Sequence, residues 1–578
     1  VTVATGGKAV ETQSELRASV ENAIAFHKQG NAAAALSIYR DVLSARPDLP
    51  GIRTLAAQAL CATASGEGAK EALEEAISLD AAAPEPHIKL GLLASDAGDH
   101  ERAMACFREA KRLRPDNAGV HYYLANSLLR LGRVEEAEHS FREAIRLRPD
   151  FVDAYLNLGH SFIESGRMAE AEACFRSALQ LQPDNPAAHN NLGMICHVLG
   201  RFGEAEACFR ESLRLRPDHP AALCNLGTQL QLTGELATAE ACFRRALELE
   251  PASAQAHYNL ALLCLLTGRL DEGWAEYEWR WEIRGQGLSA RRNFQQPLWN
   301  GESVGERVVL LHAEQGFGDT LQFCRYVPLA AERVRVILEV PRPLVKLLSG
   351  MPGIEQIIAL GDPLPNFDYH CPLLSLPRAF RTTLDTIPAA TPYLAADPAR
   401  EAYWRSRLSN LEGLRVGLVW AGNPRRHSVA LAMADRRRSI SLRHLEPLGT
   451  IPGVSFVSLQ KGDASAEVEP LRASMIVHDW TDELDDFAET AALISGLDLV
   501  ISVDTAVLHL AAALGKPVWL LNRFDTCWRW LLGRDDSPWY PSLRQFRQTE
   551  MGDWGTIIGD VKEALHRVVA DGRTAGSC

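Results

Sequence analysis

At 578 residues the chain exceeds one domain, and its 47% hydrophobic and 23% charged residues are those of an ordinary globular protein. A net charge of −13, from 60 basic against 73 acidic residues, argues against a general nucleic-acid binder. No run approaches the roughly 18 apolar residues of a membrane span and no apolar segment opens the chain, so a cytoplasmic protein is expected.

Residues 1–14 are polar and small and predict a flexible N-terminus. Residues 15–284 then repeat. Pro115, Pro149, Pro183, Pro217 and Pro251 are each 34 residues apart, the tetratricopeptide length, and Pro47 keeps the phase. Gly98, Gly132, Gly166, Gly200 and Gly234 mark a turn between two helices; Ala103, Ala137, Ala171, Ala205 and Ala239 hold a small position. Phe107, Phe141, Phe175, Phe209 and Phe243 hold a bulky one. Each helix pair must bury its Ala, Leu and Phe against the next, which predicts an α-helical superhelix of about eight units. The first two units are degenerate, with Ala81 where Pro is due. Cys106, Cys174, Cys208 and Cys242 each precede the repeat Phe, so they read as small core residues rather than as metal ligands or disulfides. Asn157, Asn191, Asn225 and Asn259 recur on the first helix of four consecutive repeats. An amide there can bond an extended acceptor peptide whatever its sequence, or it can serve the scaffold.

The last repeat ends LDEGWAEYEWRWEIRG, and Trp274, Tyr277, Trp279 and Trp281 predict a cap docked on another domain. A linker, 285–303, follows. An N-terminal Rossmann-like domain is expected over 304–400: a strand at Arg307–Ala313, a Gly-punctuated turn at 314–319 and a helix at Thr320–Ala331. Further strands follow at Val334–Val340, Ile354–Leu360 and Tyr369–Leu374. The GxGxxG dinucleotide spacing is absent.

A second Rossmann-like domain is expected over 401–555. Its strands are Leu414–Trp420, Val454–Leu459, Leu499–Val503 and Val518–Leu521. Between the last two, Asp504 and Thr505 lead into an apolar helix closed by Gly515. That strand-to-helix turn favours an anion, because free N–H groups and the helix dipole converge there. Asp and Thr are also ordinary N-cap residues. A helix near 556–570 is expected to cross back onto the first Rossmann-like domain, ahead of a flexible tail, 571–578. Two such domains facing a cleft describe the GT-B layout, so the fold class is α followed by α/β; strand count alone also allows other two-domain α/β enzymes.

The stretches HAEQGFGDTLQFCRY (312–326), GLVWAGNP (417–424), RRRSISL (436–442), ISVDTAVLHLAAALGKPVW (501–519) and DTCWRWLLGRDDSPWYPSLRQFRQ (525–548) resemble one bacterial group. It is the tetratricopeptide-fused glycosyltransferases, whose catalytic half is similar to the family 9 heptosyltransferases and whose layout is similar to that of O-GlcNAc transferase. The group includes flagellin glycosyltransferases. The resemblance implies that Asp319 is the general base, with Gln315 and Gly318 on the acceptor side; the alternative for Asp319 is an N-cap for the helix from Thr320. It matches Asp504, Thr505 and Ala506 to an Asp-Thr-Gly donor-phosphate turn, with Ala in place of Gly, and it places His509 on the donor side. Arg438, beside Ser439, is the first choice to neutralise phosphate, with Lys461 and Arg529 behind it; a solvated basic face is the alternative for 436–438. Asn423 and Gln460 lie on strand-exit loops suited to base or ribose, and Trp528 can stack on a base or pack between domains.

The expected activity is inverting, metal-independent transfer from a nucleotide sugar to a Ser or Thr hydroxyl of a protein held by the repeats, with flagellin favoured and no cofactor. A homodimer through the repeats is also expected. The alternatives are a glycan or lipid-linked sugar acceptor, and a non-catalytic scaffold.

Overall fold

The computed structural model describes residues 13–65, 68–283, 291–424 and 429–571. The expectations for 1–12, for 284–290 of the linker region and for 572–578 lie outside the described residues.

Eight helix pairs run from Gln13–Lys28 with Ala32–Ala45 to Ala254–Leu266 with Leu270–Tyr277. The repeat glycines explain the spacing. Gly98, Gly132, Gly166, Gly200 and Gly234 turn the chain at positive φ, between 73° and 91°. Gly91, Gly159 and Gly227 have another purpose: a Cβ on them would lie 2.7, 2.6 and 2.5 Å from the rings of Phe107, Phe175 and Phe243. The small residue is the socket for the large one sixteen positions on. The chain divides into two compact units at Ile195, inside the helix Pro186–Val198, so the last repeats group with the α/β half.

Within the second unit, the aromatic cap docks. Trp274 meets Trp528, Phe323 and Trp539 edge-on, with ring centroids 5.3, 6.4 and 6.4 Å away. Residues 291–303 are not a linker. Leu298 bridges to His370, Trp299 is buried and its backbone N–H donates to the His370 carbonyl at 2.8 Å. An apolar anchor and an open strand edge outweigh the polar composition that suggested a spacer.

Two parallel sheets follow. The first contains β1 (Val308–His312), β2 (Arg335–Val340), β3 (Ile354–Ala359) and β4 (Tyr369–Pro372) in the order β3-β2-β1-β4. The second contains β5 (Leu414–Val419), β6 (Val454–Ser458), β7 (Val477–Asp479), β8 (Leu499–Val503), β9 (Val518–Asn522) and β10 (Leu543–Arg547) in the order β10-β9-β8-β5-β6-β7. All the pairings are parallel. Central strands buried on both faces carry nearly continuous apolar runs, as VVLL and, broken only by Ser502, LVISV do here.

Four helices of this half bear on the site, α1 (Phe317–Phe323), α2 (Val429–Arg438), α3 (Phe487–Ser495) and α4 (Ala506–Ala513), and α5 (Trp554–Asp571) follows them. The C-terminal helix α5 does not cross back onto the first sheet. Its Ile557, Val561, Leu565 and Val568 share a core with Val416, Leu418, Phe456 and Trp519 of the second sheet. An amphipathic face says that a helix must be covered, not by which sheet.

The Gly–Phe sockets predict that Gly227→Ala overpacks its repeat and costs about 1–3 kcal/mol. Urea denaturation checks it; an unchanged midpoint would show that Phe243 swings aside freely.

Candidate active site

The loops leaving the C-terminal ends of β1, β5, β6, β8 and β9 meet in one cleft, the usual ligand position in open α/β sheets. A cavity of about 490 Å3 is lined by Gln315–Asp319 from the first half and by Arg438, Asp504–Ala506, His509, Arg523, Cys527 and Arg529 from the second. A larger one, about 1050 Å3, holds Val419, Gln460–Ala464, Asp485–Phe487 and Val507. Both are lined by Phe317, Gly422, Asn423, Thr505 and Ala506, which form the waist between them.

On the second-sheet side, Asp504 and Thr505 turn β8 into α4. Thr505 is the N-cap residue in extended conformation, yet its side chain makes no capping bond. Its hydroxyl lies 3.1 Å from Ser502 Oγ, which itself donates to the Val503 carbonyl at 2.6 Å. The amides opening α4 are therefore not satisfied by their own cap. Arg438 ends α2 and donates through Nη1 to the Asp504 carbonyl at 3.1 Å; Nε and Nη2 donate to Asp435 Oδ1 at 3.0 and 2.9 Å. Gly422 makes room for that pair, since a Cβ there would lie 2.3 Å from Asp435 Oδ1 and 2.4 Å from Arg438 Nη2. Ser439 accepts the Gly422 N–H at 2.9 Å and so pins the loop. The neighbouring Arg437 donates to Asp525 at 2.9 Å, so of the basic segment only Arg436 remains a solvated side chain.

On the first-sheet side, α1 begins at Phe317, three residues before the expected start. Asp319 therefore sits inside the first turn and caps it from there, its Oδ2 accepting the Gly316 N–H at 2.9 Å. Its Oδ1 accepts from Arg529 Nη2. Arg529 comes from the second half, is 9% exposed, and donates through Nε to Gln322 Oε1 at 2.7 Å. Gly318 lets the halves approach: a Cβ there would lie 3.0 Å from His509 Cδ2 and 3.4 Å from Ala506 Cα. A second arginine crosses the other way. Buried Arg325 donates to the Trp539 carbonyl at 2.6 Å, the Tyr393 hydroxyl at 3.0 Å and the Gln322 carbonyl at 2.8 Å.

Three expected donor-side residues already have partners within the protein. Gln460 spends both ends of its amide on backbone, accepting from Trp420 and Ala421 N–H and donating to the Ala421 and Lys461 carbonyls. Lys461 donates to the Thr481 carbonyl at 2.7 Å and lines only the larger cavity, so it is not beside Arg438. Trp528 is buried against Trp274 and Phe323 and lines neither cavity; its part is packing. Asn423 lines both cavities.

The repeat asparagines Asn157, Asn191 and Asn259 bond side chains of neighbouring repeats. In the first unit Asn157 donates to the Tyr122 hydroxyl at 3.1 Å and to Asn126 Oδ1 at 2.8 Å, and Asn191 Nδ2 lies 2.8 Å from His160 Nε2. In the second, Asn259 donates to Thr228 Oγ1 at 3.1 Å, and Asn225 occupies the same position on Pro220–Thr233. These bonds tie successive first helices together, the scaffold role. Reasoning from sequence missed Asp435, Arg523, Phe317 and Phe487. The i,i+3 spacing in Asp435–Arg438 and the exit of β9 before Arg523 were available signals; Phe487, which meets Phe317 at 5.1 Å across the cleft, had none.

Burial opposes the Asp504 charge, but His509, Arg438 and Arg529 together hold its carboxyl below the usual range. Burial likewise pushes His509 down, to about 4, against the pull of Asp504. Its Nδ1 lies 2.9 Å from the Tyr540 hydroxyl and its ring stacks on Trp530. His509 is thus neutral near pH 7. Between its ordinary value of about 6.5 and the folded value, the unfolded chain binds a proton that the folded chain refuses, so stability falls as pH drops through that window, by about 3 kcal/mol from this group. His509→Gln is expected to flatten that decline between about pH 6.5 and 4. Urea titrations at a series of pH values check this; equal slopes in both proteins would count against it.

The family model for glycosyltransferase family 9 (heptosyltransferase) matches residues 485–521, which include β8, α4 and most of β9. The model for the cilia and flagella-associated protein 70 C-terminal domain matches residues 54–283. The chain is 32% identical over 326 residues to Protein FlbA of Caulobacter vibrioides, a match covering 52% of this chain and 53% of FlbA, so it spans about half the length of that curated relative. Among solved structures, the tetratricopeptide protein YrrB, titled as having an unusual peptide-binding site, is 24% identical over 32% of this chain and 96% of its own, with a TM-score of 0.28. The tetratricopeptide protein TTC0263 of Thermus thermophilus is 24% identical over 32% of this chain and 100% of its own, also at 0.28. The chain is a tetratricopeptide-like helical array followed by a glycosyltransferase-like α/β half.

Proposed function

We propose that the α/β half transfers a sugar from a nucleotide donor to a hydroxyl of a polypeptide presented by the repeats. The supporting observation is that Asp319 and the Arg438–Thr505 corner line one cavity from opposite halves. The donor spans the waist, with its nucleoside in the larger cavity and its phosphate against Arg438 and the first amides of α4, where a preorganised cation and helix dipole stabilise the departing charge. The acceptor oxygen attacks the anomeric carbon from the opposite face and loses its proton to Asp319. The bond from that carbon to the phosphate oxygen breaks, and the electron pair leaves with the nucleotide. The anomeric configuration inverts, and the positive charge comes from Arg438 and the helix instead of a metal. Arg529 orients Asp319, and neutral His509 supports the turn at Asp504. A Ser or Thr hydroxyl is the acceptor, with flagellin favoured on the resemblance alone.

A thermal-shift panel of UDP, CMP, ADP and GDP tests donor binding, since a nucleotide at about 100 times its Kd adds roughly 2.7 kcal/mol of stability. Arg438→Met is expected to abolish the shift. Asp319→Asn keeps an acceptor for the Gly316 N–H and is expected to preserve the shift while transfer falls about 10²–10⁴-fold. Undiminished transfer by Asp319→Asn would show that another group takes the proton.

A further inference from the structure

The repeat array ends on a single turn, Glu278–Glu282, and Arg280 on that turn is 1% exposed. Its Nε and Nη2 donate to the two carboxylate oxygens of Glu314 at 3.0 and 2.9 Å. Nη2 also donates to Ser375 Oγ at 2.7 Å, and Nη1 to Glu278 Oε1 at 2.8 Å. Glu314 is held from a further side by the Leu374 N–H at 3.1 Å. The next residue, Gln315, donates to the Tyr277 hydroxyl at 3.2 Å, and the one after, Gly316, donates to Asp319 Oδ2 at 2.9 Å. Three consecutive residues are therefore fixed, two by the repeat cap and the third by the carboxylate in the cleft.

A guanidinium paired to a carboxylate through two parallel bonds fixes orientation as well as distance. A plain staple between the cap and the α/β half has no need of that geometry at the first residue of the loop that leads into the helix of Asp319. We infer that Arg280 is a positioning residue for transfer: by clamping Glu314 it sets the 314–316 segment and, through Gly316, the direction in which Asp319 faces the acceptor. The inference rests on the reading of Asp319 as the base. It makes the end of the repeat array part of the catalytic apparatus, not merely a holder of acceptor.

Arg280→Lys keeps the charge and loses the paired bonds. The assay uses the full chain, purified flagellin, and UDP-N-acetylglucosamine, GDP-mannose and CMP-N-acetylneuraminate as donors, reading sugar transferred and nucleotide released. The expected result is a fall in kcat of about 10–100-fold with donor KM unchanged, because a slightly misplaced base spoils the reacting geometry without touching the phosphate site. In an Asp319→Asn background the same change is expected to cost almost nothing further, since two residues acting as one unit are not additive. An unchanged kcat in folded Arg280→Lys, or a loss that persists in full on Asp319→Asn, would overturn the inference and leave the proposed function standing. No turnover of any donor by the wild-type chain, or undiminished transfer by Asp319→Asn alone, would remove the proposed function and this inference with it. If Arg280→Lys does not fold, Tyr277→Phe, which deletes only the bond from Gln315, carries the same comparison with a smaller expected fall in kcat.

Discussion

Two buried arginines reach across the cleft in opposite directions, and the site depends on both. Arg325 leaves the first half to bond the Trp539 carbonyl of the second; Arg529 leaves the second half to bond Asp319 and Gln322 of the first. Both use Gln322, one through its carbonyl and the other through its side chain. A buried guanidinium is costly unless its donors are met, so each half is held in the place where the other supplies acceptors. Gly318 then lets α1 and α4 approach until a Cβ would touch His509. The carboxylate of one half and the anion-favouring turn of the other come together because of these contacts, not because of either sheet alone.

The cleft is electrically mixed. Arg438 is paired with Asp435 and Arg529 with Asp319, and beside them Arg437 is paired with Asp525, while His509 is kept uncharged by burial. Arginines fixed by such partners need not reorganise when an anion arrives, which is the condition under which fixed charge is most effective. The rigidity extends to glycine: without the bare Cα of Gly422, Asp435 and Arg438 would have no space for their pairing.

Much of this could be read from the residues. The 34-residue period survives in the middle repeats because each must seat its Phe against a small residue. The central strands β1, β5, β6, β8 and β9 announce themselves because both of their faces are buried. What stayed hidden lies at edges and over long separations. β7 has three residues and β10 interleaves arginines and a glutamine with its apolar residues, so neither resembles a core strand. The segment GFGDT reads as a turn, although Gly316 and Asp319 close the first turn of a helix. Gln460 and Lys461 look like ligands in sequence, but backbone carbonyls brought near by the fold claim them first. The covering of α5 by the second sheet was equally beyond reach, since amphipathicity names no partner.

The seam around Trp274 bears on how the molecule can be divided. Its rings come from the last repeat and from both α/β halves, and one of them, Trp528, is the surface on which Arg529 lies, 4.2 Å from the ring centre. Cutting between the array and the α/β half would bare a dry aromatic face at the back of the cleft, and the fragment would fail as a folded body. A cut upstream of Ile195 would leave that seam whole, because the last repeats group with the α/β half.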